Sequence, residues 1–494
     1  MIAESIIKPL THLCNLSMTN NYVPYSWKIA KILPAHKNGP KDDVGNYRPL
    51  GLTTVFSKIL ERCVAKQMTK YMKQHKIWYP MQFGFRENHK CESLLLKYND
   101  ILFKAKQNKM HTVAVMVDCR KAFDVIRHDI LIEKLKFYGL PYSWIDSFLK
   151  GRSQFVQIGS RKSTICETGP LGIGQGTVIG PLCYAIYCME VFNSTRLKCL
   201  MFADDTSYLG SSKNFDKLFE IVNEELSKLE GWYAANGLLL HPAKTRFILY
   251  SPRKKCPDLF LGGEKIIRVG EEQTEKKFKL LGVELDSQCT YKYHIDKLRR
   301  KVQAAASLIK RSKNSLPYRM KLMLYNALVV SNLNYCSNIW GGSTSQLGRL
   351  EVAQKRCIRI ITDSKYNQHT TPLFHKTKTL ALKHIIELNN LKLANRVILD
   401  LEPEVIRTIF PRQQVRKTRS GDKPLLVVPK VSTMMERRLP QFTVPYSWKV
   451  ATMKYGINLL TSTDTLSRNY KKRMNEIYSR YRCDLGKCYP CGKH

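Results

Sequence analysis

The stretch Phe202-Ala203-Asp204-Asp205 organises the rest of this chain. It lies between the apolar run 197–203 and the short run Tyr208-Leu209, a pattern that predicts a strand, a tight turn and a returning strand. Two adjacent carboxylates at such a turn repel one another, and a bound cation relieves the repulsion. The alternative is a solvated Asp-Asp turn, which would be the better explanation if this tetrapeptide stood alone.

A third carboxylate changes that balance. Asp118 ends the run 112–117, whose unbroken apolar and β-branched character predicts a strand covered on both faces. If the two strands are neighbours in one sheet, Asp118 converges with Asp204 and Asp205. Such a group suits two Mg²⁺ or Mn²⁺ ions about 3.5–4 Å apart, which clamp the attacking and leaving oxygens of a phosphoryl displacement. The predicted chemistry is nucleotidyl transfer.

The composition indicates a large globular protein with a polyanionic partner. The 494 residues predict several domains, and 81 Lys and Arg against 40 Asp and Glu give a net charge of +41. Nucleic acid is the first candidate partner, and a membrane surface is the competing one. No run of 18 apolar residues occurs, so we expect no membrane association through a spanning helix. The 15 cysteines are mostly scattered singly, which indicates a reducing, intracellular environment.

Two segments near the N-terminus combine turn residues with cations. In the loop 34–50, Lys37 and Arg48 have the chemistry to grip a triphosphate, Arg as a bidentate fork and Lys as a point charge. An exposed basic loop is the alternative. The segment Gln82-Phe83-Gly84-Phe85-Arg86 joins aromatics, a glycine and a cation, and we expect Gln82, Gly84 and Arg86 to contact a template strand.

Two further segments add candidates. The loop 172–181 is dense in glycine, which lets backbone approach a ligand closely, and its Gln175 and Gly176 are candidate nucleotide or template contacts. A plain tight loop is the competing interpretation. Lys244 opens an apolar strand, where it is a candidate to protonate a leaving pyrophosphate; a solvated surface lysine is the alternative.

The C-terminal region carries a different signal. Residues 411–430 are rich in Pro, Arg and Lys and are expected to form a basic linker. The final residues offer soft or borderline ligands at short spacing, compatible with one structural Zn²⁺ held tetrahedrally, with free thiols as the alternative. These ligands are Cys483, Cys488, Cys491 and His494.

Taken together and in this order, the segments resemble the reverse transcriptase of non-LTR (LINE-type) retrotransposons, in particular the jockey-like elements. No single motif is decisive, but their joint order makes coincidence improbable. The matching segments are Asn46-Tyr-Arg-Pro-Leu-Gly-Leu52, Gln82 to Arg86, Asp118 to Asp124, Gly174-Gln-Gly-Thr177, Gly180-Pro-Leu182, Phe202 to Asp205, Lys244-Thr245 and Leu280-Leu-Gly282.

The resemblance implies an α+β, right-hand polymerase with a mostly helical C-terminal extension. The fingers would occupy residues 1–110, with the triphosphate and template loops. The palm with the carboxylates would occupy 111–290, and a helical thumb 291–370. Residues 371–494 would form the extension, with the basic linker and the zinc knuckle.

The same resemblance implies roles at the reaction centre. Asp118 and Asp204 would ligate both metal ions and Asp205 would support them, while Lys244 would assist the leaving group. Phe123 would crowd the sugar edge of the incoming dNTP and reject a ribose 2′-hydroxyl. On the substrate side, the resemblance assigns triphosphate binding to Lys37 and Arg48 and the nucleotide and template side to Gln175.

The implied partners are an element RNA as template, a primer end in nicked target DNA, and dNTPs. We expect an intracellular protein that acts in the nucleus after ribonucleoprotein assembly in the cytoplasm. Such elements ordinarily carry an endonuclease ahead of the polymerase, whereas this chain begins within or just before the fingers. We therefore expect a fragment, a truncated copy or an element that borrows its nick.

Three residues depart from the family pattern. Gly174 replaces a usual proline, and Thr177 stands where serine is common; both changes are compatible with the loop. His241 replaces the usual asparagine ahead of Lys244, which weakens the role given to that lysine.

Two alternative functions remain at this stage. An RNA-dependent RNA polymerase would use an acid such as Asp124 to recognise the 2′-hydroxyl, but Phe123 would clash with the ribose that such an enzyme must accept. A domesticated or inactive element protein would bind RNA without polymerising. The complete set of three acids argues against decay.

Overall fold

A computed structural model describes residues 2–37, 39–253, 255–271, 274–413, 425–455, 457 and 460–480. The region ahead of residue 111 begins with helices and a strand pair. Its elements are α1 (Ile2–Thr19), α2 (Tyr25–Lys28), β1 (Ile29–His36), a 3₁₀ turn (Val44–Asn46), β2 (Tyr47–Leu52), α3 (Val55–Gln74) and α4 (Cys91–Gln107).

The middle of the chain is mixed helix and strand. Its elements are β3 (His111–Val117), β4 (Cys119–Arg120), α5 (His128–Phe137), α6 (Tyr142–Leu149), β5 (Ser153–Ile158), β6 (Arg161–Lys162), β7 (Cys166–Glu167), α7 (Gly180–Cys188), a 3₁₀ helix (Met189–Ser194), β8 (Lys198–Phe202), β9 (Asp205–Ser212), α8 (Phe215–Ala235), β10 (Leu239–Leu240), β11 (Arg246–Tyr250), β12 (Phe260–Leu261), β13 (Glu264–Lys265), β14 (Ile267–Arg268), β15 (Phe278–Leu280) and β16 (Val283–Leu285).

The remainder is almost entirely helical. Its elements are α9 (Lys292–Arg311), α10 (Tyr318–Tyr325), a π-helical turn (Asn326–Val330), α11 (Ser331–Asn334), α12 (Ser337–Trp340), α13 (Thr344–Ile361), α14 (Thr371–Thr377), α15 (Leu382–Ile398), α16 (Glu404–Arg407), β17 (Arg412–Gln413), β18 (Leu425–Leu426), α17 (Met434–Arg438), α18 (Pro440–Tyr455) and α19 (Thr463–Ser479).

A five-stranded sheet, which we call the palm sheet, has the strand order β14-β11-β3-β9-β8. Its central strand β3 pairs antiparallel with both β11 and β9. Because successive side chains of a strand point to opposite faces, a strand buried on both sides must be apolar throughout. The unbroken apolar run 112–117 meets that requirement, since all six residues are buried.

Each face of the palm sheet contributes to a different hydrophobic core. On one face, Val113 and Val115 join a core with Val222 of α8. On the other face, Met116 joins a core that extends through Leu95 of α4 to the thumb and the C-terminal helices. The palm sheet is therefore the layer that separates the two cores.

Helix α4 departs from the expected organisation. It falls within residues 1–110, assigned to the fingers, yet it packs on β8 and β3 of the palm sheet. Its opposite side is covered by the C-terminal extension, where α18 and α16 contact it. Residues 93–103 of this helix are all buried, because partners enclose it on both sides. By its packing, α4 belongs with the palm.

A second sheet joins the expected fingers to residues 153–167 of the expected palm, in the strand order β2-β1-β5-β6 with β7 also paired to β5, so by their pairing these three strands belong with the fingers. Strand β1 pairs antiparallel with β2 and parallel with β5, so Lys37 and Asn46 lie at the end of a supported hairpin.

The C-terminal extension is mostly helical, as expected, through α14 to α19. Much of the expected linker 411–430, and the expected zinc ligands Cys483, Cys488, Cys491 and His494, lie outside the described residues. Across the ranges that the structure describes, no helix is both long and apolar enough to cross a membrane.

Candidate active site

The pairing of β3 with β9 brings two of the predicted acids together. Val117 lies opposite Thr206, so the next pair in the antiparallel register is Asp118 with Asp205. By alternation both side chains share a face with Met116, which is the face towards β15. Asp118 and Asp205 accordingly line one pocket of about 340 Å³.

Asp204 lies in the turn that joins β8 to β9. Phe202 pairs with Asp205, which leaves Ala203 and Asp204 as the two turn residues. Ala203 has a φ of +56°, which is a left-handed conformation. Two-residue hairpin turns need a positive φ so that the turn matches the right-handed twist of the two strands. Asp204 and Asp205 are both exposed, and so remain accessible to a ligand.

The electrostatics of this group suit a cation. Partial burial, then the nearby Asp204 and Asp118 carboxylates, raise the pKa of Asp205 to about 6, while Lys279 acts in the opposite sense. The excess negative charge is what a divalent metal ion neutralises. The carboxylates fit Mg²⁺ or Mn²⁺ by their chemistry.

The expected three-carboxylate metal site is not assembled, however. Within the described parts of the chain, no three His, Cys, Asp or Glu side chains are placed to hold a metal ion. The register sets Asp118 beside Asp205, whereas Asp204 occupies the exposed turn between β8 and β9. The metal-binding role of Asp118, Asp204 and Asp205 stays a prediction. The three carboxylates repel one another, and a bound cation would offset this repulsion.

Lys244 lies beside the same acids. Its Nζ is 3.8 Å from Asp118 Oδ2, and it lines the same pocket. The turn that carries it is fixed to the strand end, since the His241 N–H donates to the Asp118 carbonyl at 2.9 Å. Because His241 uses its backbone here, the departure from asparagine does not displace Lys244.

The two fingers cations lie on one face of the β1–β2 hairpin. Ala35 pairs with Arg48, and the Lys37 N–H donates to the Asn46 carbonyl at 2.8 Å. Residues that pair, and residues two apart, point to the same side of a hairpin. Lys37 and Arg48 are both exposed, which leaves them available to an anionic ligand.

The glycine-dense loop is clamped to this hairpin. The Gly51 N–H donates to the Gln175 carbonyl at 2.6 Å. A Cβ on Gly176, whose φ is +109°, would stand only 2.3 Å from the Gly51 carbonyl oxygen. Gly176 is therefore required for backbone packing, whatever its contact with a nucleotide. The Gln175 side-chain amide donates a hydrogen bond to Asp124 Oδ1 at 3.2 Å. The Gln175 side chain therefore points towards Asp124.

Phe123 is held as a partly exposed ring. It stacks on Tyr184 of α7 with centroids 4.5 Å apart, and its carbonyl accepts from the Ile173 N–H at 2.9 Å. The ring both packs against the core and retains an accessible edge.

Comparison with known proteins agrees with this geometry. The family model described as reverse transcriptase (RNA-dependent DNA polymerase) matches residues 36–285, half of the chain. The chain belongs to the reverse transcriptase family. The predicted right-hand polymerase fold and the predicted resemblance are thereby confirmed.

Curated relatives place the chain beside the jockey-like elements. The probable RNA-directed DNA polymerase from transposon BS of Drosophila melanogaster is 29% identical over 383 residues, 74% of this chain and 41% of that protein. The RNA-directed DNA polymerase from mobile element jockey of the same species is 26% identical over 460 residues, 87% of this chain and 49% of that protein. The chain thus spans less than half the length of these relatives.

Among solved structures, apo telomerase from Candida tropicalis matches with 12% identity and a TM-score of 0.38. The match covers 78% of this chain and 67% of the telomerase chain. At that score the likeness carries no argument about this protein.

One assignment for this reverse transcriptase is wrong. Gln82 is fully buried and cannot contact a template, and the Phe83 N–H donates to the Met201 carbonyl at 2.7 Å. The Arg86 guanidinium donates to the Tyr79 and Gln82 carbonyls at 2.9 and 3.1 Å. Burial lowers the pKa of Arg86 to about 10. The segment instead packs against the β8–β9 hairpin that carries Asp204.

Gly84 makes the closest of these contacts. A Cβ there would lie 2.4 Å from the Ala203 backbone nitrogen. Main chain therefore packs directly on main chain at the turn that carries Asp204. The glycine is used for close approach to protein, not to a template.

Sequence reasoning missed Glu61. This carboxylate of α3 is 1% exposed, and it accepts from the Val178 and Ile179 N–H groups at 2.5 and 3.2 Å. It therefore ties the end of the glycine loop to α3. The sequence signal was a single acid beside the apolar face of a helix, and its partners lie more than 100 residues away.

The Gly84 contact predicts a sensitive position. In Gly84→Ala, the added methyl must push the Ala203 main chain aside and move Asp204, so we expect kcat for nucleotide addition to fall about 100-fold. Steady-state extension kinetics would measure it. Gly231→Ala is the matched control, because nothing lies within 4 Å of its Cβ. Equal activity of both variants would contradict the contact.

The raised pKa of Asp205 predicts a pH dependence without metal. Protonated Asp205 adds to the free energy of unfolding, because its pKa is higher in the folded protein than in the unfolded chain. This contribution is fully present below a pH of about 4 and is lost as the pH rises through about 6. In EDTA at pH 8, Asp205→Asn is therefore expected to melt about 1–3 °C above wild type, a small gain because the residue is largely exposed. The gain should vanish at pH 4.

Thermal melts across this pH range would test it, with Asp216→Asn on the exposed side of α8 as control. A variant no more stable than wild type at pH 8 would contradict the charge repulsion.

Proposed function

We propose that this chain is an RNA-directed DNA polymerase of a non-LTR retrotransposon, which adds dNTPs to a primer 3′-hydroxyl on an RNA template. One observation supports it above the others. Asp118 and Asp205 are paired across adjacent strands, Asp204 is in the next turn, and Lys244 stands 3.8 Å from Asp118. Three acids and one cation at the end of a palm sheet are the groups that nucleotidyl transfer needs.

In this proposal Asp118, Asp204 and Asp205 would hold two Mg²⁺ or Mn²⁺ ions. Bound there, the ions would supply charge neutralisation at the α-phosphate and its attacking and leaving oxygens. The Lys244 side chain is exposed, and its Nζ lies 3.8 Å from Asp118 Oδ2. From this position it would bind the leaving pyrophosphate and donate a proton to it. A structural Zn²⁺ at Cys483 to His494 remains part of the proposal.

The substrate side is built from the fingers and the glycine loop. Lys37 and Arg48 bind the triphosphate from one face of the β1–β2 hairpin. Gln175 lies in a loop that is hydrogen-bonded to the same hairpin through the Gly51 N–H. A movement of the hairpin would therefore also move Gln175 and the nucleotide that it contacts. Phe123, braced by Tyr184, bars a 2′-hydroxyl.

The partners follow from the same proposal: an element RNA, a primer end in nicked target DNA, and dNTPs. The charge of +41 supports a polyanionic partner, since phosphate contacts by Lys and Arg dominate nucleic-acid affinity. We place the protein inside the cell, acting in the nucleus after assembly with RNA in the cytoplasm.

Primer extension tests the proposal directly. Wild type should extend a DNA primer on an RNA template with dNTPs and Mg²⁺, and Asp204→Asn should lose at least about 100-fold in rate. The control Asp216→Asn alters an exposed acid of α8 and should extend normally. A folded wild type that binds RNA but never extends would favour the domesticated, non-polymerising alternative.

Phe123 predicts the sugar selectivity. Phe123→Ala removes the ring that Tyr184 braces, so discrimination against ribonucleotides should relax by about 10–100-fold in kcat/KM. Competing dNTP and rNTP incorporation would measure the ratio. Phe137→Ala, at an 80% exposed position, is the control. Wild type that prefers rNTPs would instead support an RNA-dependent RNA polymerase.

A further inference from the structure

A cavity of about 410 Å³ lies between the glycine loop and the sheet β2-β1-β5-β6, which we call the fingers sheet. Strands β1, β2 and β5 form one wall, and residues between 167 and 177 form much of the other. Ligand sites in proteins commonly have volumes of about 300–1,000 Å³. This space, which we call the fingers cavity, is therefore large enough for a small ligand.

The fingers cavity lies on the opposite face of the β1–β2 hairpin from the cations assigned to the triphosphate. Ile32 and Gly51 are paired with one another, and both line the cavity. Arg48 is paired with Ala35. Because successive residues of a strand alternate between its two faces, Ile32 and Ala35 point to opposite sides. A ligand in the cavity would therefore not occupy the site assigned to the incoming triphosphate.

The wall of the cavity contains a buried cation that the protein does not neutralise. Arg152, which directly precedes β5, lines the cavity and is 6% exposed. Within the described residues its guanidinium donates a single hydrogen bond, from Nη1 to the Phe148 carbonyl at 3.3 Å, and it lies 4.5 Å from the centre of the Phe148 ring. A guanidinium has five N–H donors, so most of its hydrogen-bonding capacity is unused here.

A second buried cation lies near the first. The Lys28 side chain is largely buried, and its Nζ donates to the Lys150 carbonyl at 3.0 Å. Burial, and then the charge of Arg152, lower the pKa of Lys28, whereas Asp146 acts in the opposite sense. Burial also lowers the pKa of Arg152, and Glu61 opposes that effect. Each cation is therefore destabilised by burial, and Lys28 also by the charge of its neighbour.

These two cations differ from the other buried cations of the described chain. Four are at least nine-tenths buried: Lys28, Lys97, Arg152 and Lys321. Lys97 is paired with an aspartate at 2.9 Å, and Lys321 with another at 3.4 Å. In the parts of the chain that the structure describes, no carboxylate lies within 4 Å of Lys28 or Arg152. A buried charge costs free energy unless an opposite charge or hydrogen bonds compensate it, so this place lacks an anion.

The cavity also carries groups that would bind the oxygens of such an anion. Thr53 lines it, and the buried Thr53 Oγ1 has no hydrogen-bond partner among the described residues. Ser153, which follows Arg152, lines it as well and is largely buried. The acids Asp124 and Glu167 are exposed at the cavity and are more than 4 Å from the Arg152 guanidinium. The wall thus combines an uncompensated cation with hydroxyl groups.

We propose that the fingers cavity is an anion site, in which the Arg152 guanidinium binds a phosphate-type oxyanion and Lys28 adds to the local positive potential. The parallel N–H donors of arginine match the spacing of phosphate oxygens. Inorganic phosphate and pyrophosphate share this chemistry, and the volume has room for either. The assignment goes beyond the proposed polymerase function and does not depend on it.

An anion bound here would contact two parts of the fingers at once. The fingers sheet provides Arg152, and the opposite wall is the loop that carries Gln175. That loop is already hydrogen-bonded to the sheet, since the Gly51 N–H donates to the Gln175 carbonyl at 2.6 Å. A bound anion would add a second connection between them, so it would restrain the loop.

Calorimetric titration with inorganic phosphate and with pyrophosphate, at constant ionic strength and without divalent metal, tests the proposal. We expect Arg152→Gln to bind about 10-fold more weakly than wild type, because the lost contacts are charge-assisted hydrogen bonds. Arg161→Gln is the matched control, since Arg161 is exposed on the neighbouring β6 and does not line the cavity. Equal affinity of wild type and Arg152→Gln for both anions would overturn the proposal.

Two further comparisons locate the site and identify the anion. The double variant Lys37→Gln and Arg48→Gln should keep the phosphate affinity that Arg152 provides, because these side chains lie on the other face of the hairpin. Loss of that affinity in the double variant would contradict the assignment. Tighter binding of pyrophosphate than of phosphate would identify a product of nucleotide addition as the anion, and the reverse order would identify free phosphate; either order supports the site.

Thermal melts separate anion binding from a purely structural role of Arg152. Without phosphate, Arg152→Met should melt no lower than wild type, because an apolar side chain replaces an uncompensated charge. Added phosphate should raise the melting temperature of wild type by about 1–3 °C and leave that of Arg152→Met unchanged. If the guanidinium serves only to pack on Phe148, Arg152→Met would melt lower than wild type at every phosphate concentration, and the proposal would be wrong.

Discussion

The pairing of β3 with β9 is the constraint on which the site depends. A shift of that register by one residue would turn every side chain of β3 to the other face, with Val117 exposed and Asp118 inside. The run 112–117 is buried on both faces, so such a slip would force each of its side chains into a differently shaped space in the two hydrophobic cores. The acids are therefore held at the end of the palm sheet by buried residues of β3 that have no reactive groups.

Mutual repulsion of these acids has to be balanced by rigidity around them. The hairpin at Ala203 is supported from behind by Gly84, and the Gln82–Arg86 segment is bonded to it through main-chain groups. The glycine loop is clamped in a similar way, to Gly51 on one side and to the buried Glu61 on the other. The contacts at Gly84 and Gly51 join main chain to main chain and leave no rotamers to adjust, whereas Glu61 holds its end of the loop through a buried side-chain carboxylate.

The packing also changes how the chain divides into functional parts. Helix α4 is enclosed between the palm sheet and the C-terminal helices, and its core is continuous with that of the thumb. The extension is therefore part of the polymerase body. A segment outside the family match in this way completes a core of the matched segment.

The amino-acid sequence by itself determined the palm strands β3, β8, β9 and β11, the Asp-Asp turn and the family. These features depend on local periodicity and on motifs that can be read over a few residues. The strand, turn and returning strand expected around Asp204 and Asp205, for example, are β8 (Lys198–Phe202) and β9 (Asp205–Ser212) with Ala203 and Asp204 between them.

Only the tertiary structure decided the position of Gln82, the role of Glu61 and the fingers cavity. Each of these depends on neighbours far apart in the chain, such as Glu61 with Val178 and Lys28 with Arg152. A sequence pattern shows that a side chain can bind a strand or a metal. Whether it faces solvent or the interior depends on what packs against it, and local spacing does not contain that information.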